Sequence, residues 1–273
     1  MRDFHLPGRS AVFAANGLCA TSHPIAASLG VETLKAGGNA VDAAIAMSSI
    51  LGLCEPAMTG LFGDCFALVK VPGQPVIGLN ASGRAPTGVS ADDLAPGTKI
   101  PPQHPAAITL PGAVDGFCKL HGDFGKLPLG KILAPAIAYA EEGIPVAPRV
   151  AFDWKLWAGN LKGRAKEIYL NNGAPYRAGD VYRARGQAAL LRMIAEQGRD
   201  GFYTGDAADD FVASLQALGA SHTHEDFAAV SADYVTPLET LYRGHRLIEL
   251  PPNSQGPMAL VLANMMETYD LSA

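Results

Sequence analysis

The chain has 273 residues, 48% of them hydrophobic and 17% charged, with a formal net charge of −5. That is enough apolar material for a large core, arranged as one domain or two small ones. The absence of any Lys/Arg cluster argues against nucleic acid as a partner, and no apolar run reaches the ~18 residues of a membrane span.

The first ten residues, MRDFHLPGRS, lack the apolar core of a signal peptide, so a cytoplasmic location is expected, or a periplasmic one if a leader has been removed. Residues 11–20, AVFAANGLCA, predict a short strand. His23-Pro24 then opens a helix that stops at Gly37-Gly38. Asn39 suits the cap of a second helix, with Asp42 in its first turn. That helix, AVDAAIAMSSILGL, is so dense in small and apolar residues that it should be buried on most sides. FALVKV and VIGLN, separated by Pro72-Gly73, predict a hairpin. Residues 84–111 are rich in Pro, Gly, Ala and Thr without a period, which predicts a long ordered loop of the kind that covers a site. Helices are expected over 112–124, 130–142, 148–161, 186–197 and 204–218. Strand character returns over 238–250 around Arg243-Gly244, and a last helix spans 256–269.

Five stretches carry candidate chemistry. His222 and His224 flank Thr223 near two acids, and such a pair can bind a metal. Thr223 and Asp226 also have capping-box spacing, and a solvated helix start is the plainer reading. Cys19 lies four residues before His23, but its apolar surroundings favour packing over a nucleophile and base. The four cysteines include no CxxC pair and are read as buried thiols. Residues 59–64, TGLFGD, lack the features of a phosphate loop, so their glycines are read as allowing close backbone approach. Residues 251–256, PPNSQG, precede a helix whose first amides could receive an anion, against the plainer alternative of a capped turn. The best local candidate is NASGRAP, residues 80–86, which sets Asn80, Ser82 and Arg84 just past the end of an apolar strand. A guanidinium there can fork onto a carboxylate, although a loop-to-loop tether is the stronger reading on these residues alone.

HPIAASLGVETLKAGGNAVDAAIAMSSILGLCEP resembles the N-terminal signature of the gamma-glutamyltranspeptidase family. TGLFGDCF, LPGAVDGF, GRDGFYTGDAADDF, HEDFAAV and LPPNSQGPMALVLANMMETYDL follow in the family's order, so the resemblance covers nearly the whole chain. It implies an α+β fold, a four-layer αββα sandwich of the N-terminal-nucleophile hydrolase type, in which an inner helix must be apolar nearly all round. It also implies a precursor that cuts itself before a threonine, whose hydroxyl then serves as nucleophile and whose amino group serves as base. The family's Thr-Thr-His cleavage motif does not occur here. Residues 1–273 are therefore expected to be a single domain, the large-subunit part of such a precursor. A small subunit carrying the threonine would complete it, with a dimer of these heterodimers as an open option. No metal and no cofactor are implied.

One departure bears on specificity. Family transpeptidases carry Arg-Glu-x-Ala-Pro, whose arginine holds the glutamyl α-carboxylate. Aligned on Ala85-Pro86, that arginine falls on Ser82; Arg84 comes two residues later, and the acid is gone. The leading expectation is a threonine-dependent amide hydrolase acting on a small carboxylated amide, with Arg84, Ser82 and Asn80 as its substrate-binding residues in this chain. The alternatives are a true gamma-glutamyltransferase or glutathione hydrolase, and a non-catalytic binding protein that keeps the fold.

Overall fold

A computed structural model describes residues 11–90, 99–101 and 103–270. Residues 91–98 and 102 of the long loop, the first ten residues and residues 271–273 lie outside the described residues.

Helix α1 (Pro24–Lys35) begins at His23, whose Nδ1 accepts the Ile25 amide at 3.3 Å. It ends before Gly37, whose φ of +94° few side chains tolerate. Helix α2 (Ala40–Cys54) starts from a complete capping box. The Asn39 side chain accepts the Val41 and Asp42 amides, and Asp42 Oδ2 accepts the Asn39 amide at 2.9 Å. Asp42 is fully buried and also accepts the amides of Lys126 and Leu127, so its charge is met by three N–H groups rather than by a cation. Only Ala40 and Ala44 of α2 are exposed. Gly30 lets α1 and α2 close up, since a Cβ there would sit 2.7 Å from Met47 Sδ.

Strands β1 (Cys65–Lys70) and β2 (Val76–Ala81) form the expected antiparallel hairpin, in the register Phe66 opposite Asn80. Helix α3 (Ala113–Phe124) covers one face of it, where Leu79, Ala81 and Leu120 are buried together. The helical side continues through α4 (Leu129–Glu142) and, after the short strand β3 (Ile144–Pro145), α5 (Pro148–Trp157) and α6 (Arg164–Tyr169). Strand β4 (Val181–Tyr182) pairs with β3. Then come α7 (Arg185–Gln197), α8 (Asp200–Tyr203), α9 (Gly205–Ala217) and α10 (His224–Ala228). One core runs through α1, α2, α4, α7 and α8, with Ile45, Ile50, Leu133, Leu191 and Phe202 buried in it.

Strand β5 (Asp233–Val235) adds to the free edge of β2, with Asp233 opposite Asn80. Strands β6 (Leu238–Tyr242) and β7 (His245–Glu249) form a second hairpin through Arg243 and Gly244, both at positive φ as a two-residue turn requires. Helix α11 (Gly256–Glu267) packs on that hairpin. Its Gly256, Leu260 and Ala263 are buried, while Met258, Val261, Leu262 and Met265 on its other side are exposed. Among the described residues no helix is long and apolar enough to cross a membrane.

Two expectations need correction. Residues 11–20 form no strand. Val12, Phe13 and Leu18 are exposed and no neighbouring strand offers them a ladder, so apolar composition alone does not make one there. The helix expected over 148–161 ends at Trp157 and continues only as a 3-10 turn over Ala158–Asn160. Strands β3, β4 and β5 and the short helices α6 and α8 were not anticipated.

Candidate functional site

The site is assembled where β2 runs out. Two glycines make it possible for three segments to meet there. A Cβ on Gly83 would lie 1.5 Å from the Leu110 carbonyl oxygen, and one on Gly112 would lie 2.0 Å from that of Ala81. The Gly63 carbonyl accepts the Gly112 and Ala113 amides at 3.0 and 2.9 Å, and Asp64 Oδ1 accepts the Gly83 amide at 3.0 Å. Close approach was expected of the glycines in the 59–64 turn. It holds at Gly63, whose Cβ would lie 3.3 Å from the Gly60 carbonyl oxygen, whereas a Cβ on Gly60 would meet open space; α2 also comes close, since a Cβ on Gly52 would lie 3.2 Å from Gly60 Cα.

Asn80 lies within the last residues of β2, with Ser82 and Arg84 following it. Asn80 Oδ1 accepts the Ser82 amide at 2.9 Å, forming a local turn that aims the chain outward. Asn253, from the 251–256 loop, lies against both side chains. Its Oδ1 accepts Asn80 Nδ2 at 3.0 Å and the Ser82 hydroxyl at 3.1 Å. Among the described residues, Arg84, 81% exposed, meets Asp233 Oδ2 through Nη2 at 3.3 Å. One contact leaves most of the five guanidinium N–H donors open to a ligand. The cluster therefore has a fixed polar base and one exposed cation.

The loop that Arg84 opens is closed on itself at its base and held to Asp226 near its start. The Leu110 amide donates to the Arg84 carbonyl at 2.9 Å. Asp226 Oδ1 accepts the Thr87 amide and Oδ2 the Thr223 amide, each at 3.0 Å. Burial would raise the Asp226 pKa, but the hydrogen bonds from Thr87 and Thr223 outweigh it and hold the carboxyl below its ordinary value.

The remaining candidates resolve as follows. Thr223 does cap α10 with Asp226, but the start of that helix is not solvated throughout. His222 is fully buried, and burial lowers its pKa against the opposing pull of Asp226 and of contacts with the Ile108 and Thr109 backbone. His224 faces the other way, exposed and 2.9 Å from Asp209 Oδ1, so the two rings share no ligand position. Burial raises the Cys19 thiol and pushes Cys54 to about 12, and Cys65 and Cys118 to about 11, which keeps all four as thiols. At the 251–256 loop, Ser254 Oγ accepts the Gly256 amide at 3.1 Å, so the capped turn is the reading that holds for that amide. Asp64, Asp233 and the side-chain role of Asn253 were missed. Asp64 sat in a motif already singled out, whereas nothing in the local sequence marks Asp233.

A groove of about 1030 Å³ on the helical side, lined by Leu61, Phe62, Tyr169, Tyr182, Leu190 and Phe211 among others, contains none of Asn80, Ser82 and Arg84. The Arg84 cluster instead borders the outer face of the β1-β2-β5 sheet. There Phe66 and Leu68 stand exposed, and Phe66, Asn80 and Asp233 lie in one row across the three strands.

Residues 26–273 match the gamma-glutamyltranspeptidase family. The glutathione hydrolase-like YwrD proenzyme of Bacillus subtilis is 34% identical, over 96% of this chain and 50% of that protein. The glutathione hydrolase proenzyme of Escherichia coli is 32% identical, over 95% of this chain and 46% of that protein. The chain thus spans about half the length of the curated relatives it matches. Among solved structures, cephalosporin acylase from Bacillus halodurans superimposes with a TM-score of 0.91 at 39% identity, covering 99% of this chain and 53% of that one. Helicobacter pylori gamma-glutamyltranspeptidase gives 0.91 at 28% identity, covering 96% and 78%. The α+β fold of the N-terminal-nucleophile hydrolase type, expected from the sequence, is the fold shared with these structures. The chain belongs to the gamma-glutamyltranspeptidase family.

Proposed function

We propose that this chain is the large-subunit part, folded as one domain, of a threonine-dependent amide hydrolase acting on a small carboxylated amide. The observation that carries the reading is Arg84: an exposed guanidinium with most donors free, on a loop fixed at both ends, beside a sheet face left open. Arg84 would hold the substrate carboxylate, while Asn80 and Ser82 shape the floor beneath it. The nucleophile and oxyanion donors would come from the small subunit released from the same precursor. The threonine hydroxyl would attack the amide carbonyl, the C–N bond would break as the amine leaves with the proton that the hydroxyl gave up, and water would then hydrolyse the acyl ester to release the acid and restore the hydroxyl.

A second reading, gamma-glutamyl transfer or hydrolysis of glutathione, is favoured by the names of the relatives. Against it stands the register of Arg84, two residues past the position of the family arginine. The protein expressed from its full reading frame tests both. Mass spectrometry should find two fragments, the second beginning with threonine, and a single uncut chain without activity would instead leave a non-catalytic binding protein. Turnover of oxamate-like amides should exceed that of a gamma-glutamyl anilide; the reverse order, with stimulation by an acceptor, would establish the second reading.

A further inference from the structure

We infer that Asp233 is a positioning residue for Arg84, supplying from the neighbouring strand the carboxylate that the Ser82–Pro86 loop itself lacks. The inference rests on the reading of Arg84 as the carboxylate-binding group.

The backbone around Arg84 is pinned on three sides. Gly83 donates to Asp64, the Arg84 carbonyl accepts Leu110, and Thr87 donates to Asp226. The long side chain is not pinned by packing, since it is mostly exposed. An unheld arginine samples many rotamers, and collecting them into one on binding costs entropy. The hydrogen bond that this side chain makes runs from Nη2 to Asp233 Oδ2 at 3.3 Å. Asp233 is itself placed by the ladder, directly opposite Asn80, so it is fixed relative to the floor of the site. Directly opposite residues in an antiparallel pair project to the same face, which sets Asp233 beside Asn80 and under the guanidinium. Using one N–H aims the group and leaves another edge of the fork for a substrate carboxylate.

Positioning and competition predict opposite signs. If Asp233 merely competed for Arg84, removing its charge would tighten the binding of an anionic substrate. If it positions Arg84, removal should weaken that binding. In the full-length protein, Asp233→Asn should raise KM for a carboxylated amide about three- to fivefold, the range of an exposed ion pair, with the change falling on KM rather than kcat. Asp233→Glu should recover most of it. For the same substrate with its carboxylate converted to an amide, KM should not respond to Asp233→Asn. Arg84→Lys serves as the reference variant. If Arg84→Lys raises KM and Asp233→Asn lowers it or leaves it alone, the positioning role is wrong while the carboxylate site stands. If both variants are silent, the carboxylate site itself is wrong and the inference goes with it.

Discussion

Asn253 and Ser82, 171 residues apart in sequence, touch through both ends of the Asn253 amide, with Oδ1 at 3.1 Å and Nδ2 at 2.9 Å from the serine oxygen. The contact ties the loop before α11 to the end of β2, and so joins the second hairpin to the main sheet. A double-mutant cycle between Asn253→Ala and Ser82→Ala should show a coupling of about 1 kcal/mol in chemical denaturation. Additivity within about 0.3 kcal/mol would mean that the two loops are held together by something else.

Gly83 is the least replaceable residue of the site. A methyl group at 1.5 Å from the Leu110 oxygen overlaps a backbone atom of a residue whose amide is bonded to the Arg84 carbonyl, so no side-chain rotation relieves it. Gly83→Ala should cost more than about 3 kcal/mol, beyond the usual range for overpacking. Thermal unfolding of the variant would check this. Gly60→Ala, at a position where the added Cβ meets open space, is the control and should change stability by well under 1 kcal/mol.

Asp115 and Arg199 form a buried junction beneath β5. Asp115 Oδ1 meets Arg199 Nε and its Oδ2 accepts the Ala232 amide, both at 2.6 Å. Arg199 Nη2 donates to the carbonyls of Ala228 and Val230, and the guanidinium lies over the Tyr203 ring. Arg199→Met should cost roughly 3 kcal/mol because it leaves a carboxylate buried without its cation. Adding Asp115→Asn to Arg199→Met should recover part of that loss, a non-additivity that equilibrium unfolding would reveal.

Stability should fall on the acid side in two separate windows. His222 and His23 both have folded pKa values below the ordinary 6.5; burial is the main cause in each, opposed by Asp226 and the Ile108 and Thr109 backbone for His222 and by Glu55 for His23. The unfolded chain therefore binds protons that the folded chain refuses. Their contribution is complete above about pH 6.5 and is lost as pH falls, by up to about 1.4 kcal/mol per unit for each ring. His222→Leu should flatten the slope between pH 6.5 and 5. Asp226 has the carboxylate pattern, with a folded pKa below 3.8, so its contribution survives to about pH 4 and disappears only below that. Denaturation midpoints measured from pH 7 to 3 would separate the two windows.

The sequence carried the parts of the fold that local chemistry dictates. The Asn39 cap with Asp42 in the first turn, the all-round apolar α2, the Pro72-Gly73 hairpin and the turn at Arg243-Gly244 were each legible because a few adjacent residues suffice to make them. Strand β5 was not legible: Asp-Tyr-Val has no alternation to read, and it is a strand only because the edge of β2 is there to receive it. The site divides in the same way. Asn80, Ser82 and Arg84 stood out as one polar cluster at a strand end. Asp233 and Asn253 join them through contacts that span about 150 residues or more, which no spacing rule encodes.

Helix α11 has apolar residues on both sides, and among the described residues Leu260 and Ala263 on one side are buried while Met258, Val261, Leu262 and Met265 are exposed. Expressed by itself, the chain should bind an apolar dye and aggregate. Leu262→Lys with Met265→Lys should lower the dye signal while leaving helical circular dichroism unchanged. Loss of the helical signal instead would mean that these side chains contribute to the chain's own core.

The bond between the Arg84 carbonyl and the Leu110 amide brings the two ends of the long loop together. The penalty for closing such a loop grows only with the logarithm of its length, about 0.6 kcal/mol for each doubling. Residues inserted or removed well inside it would therefore change the free energy little and would not move its base. The Arg84 backbone, held at that base, is insulated from whatever length the loop takes. Relatives and engineered variants are accordingly free to diversify the loop's interior without displacing the backbone that carries Arg84.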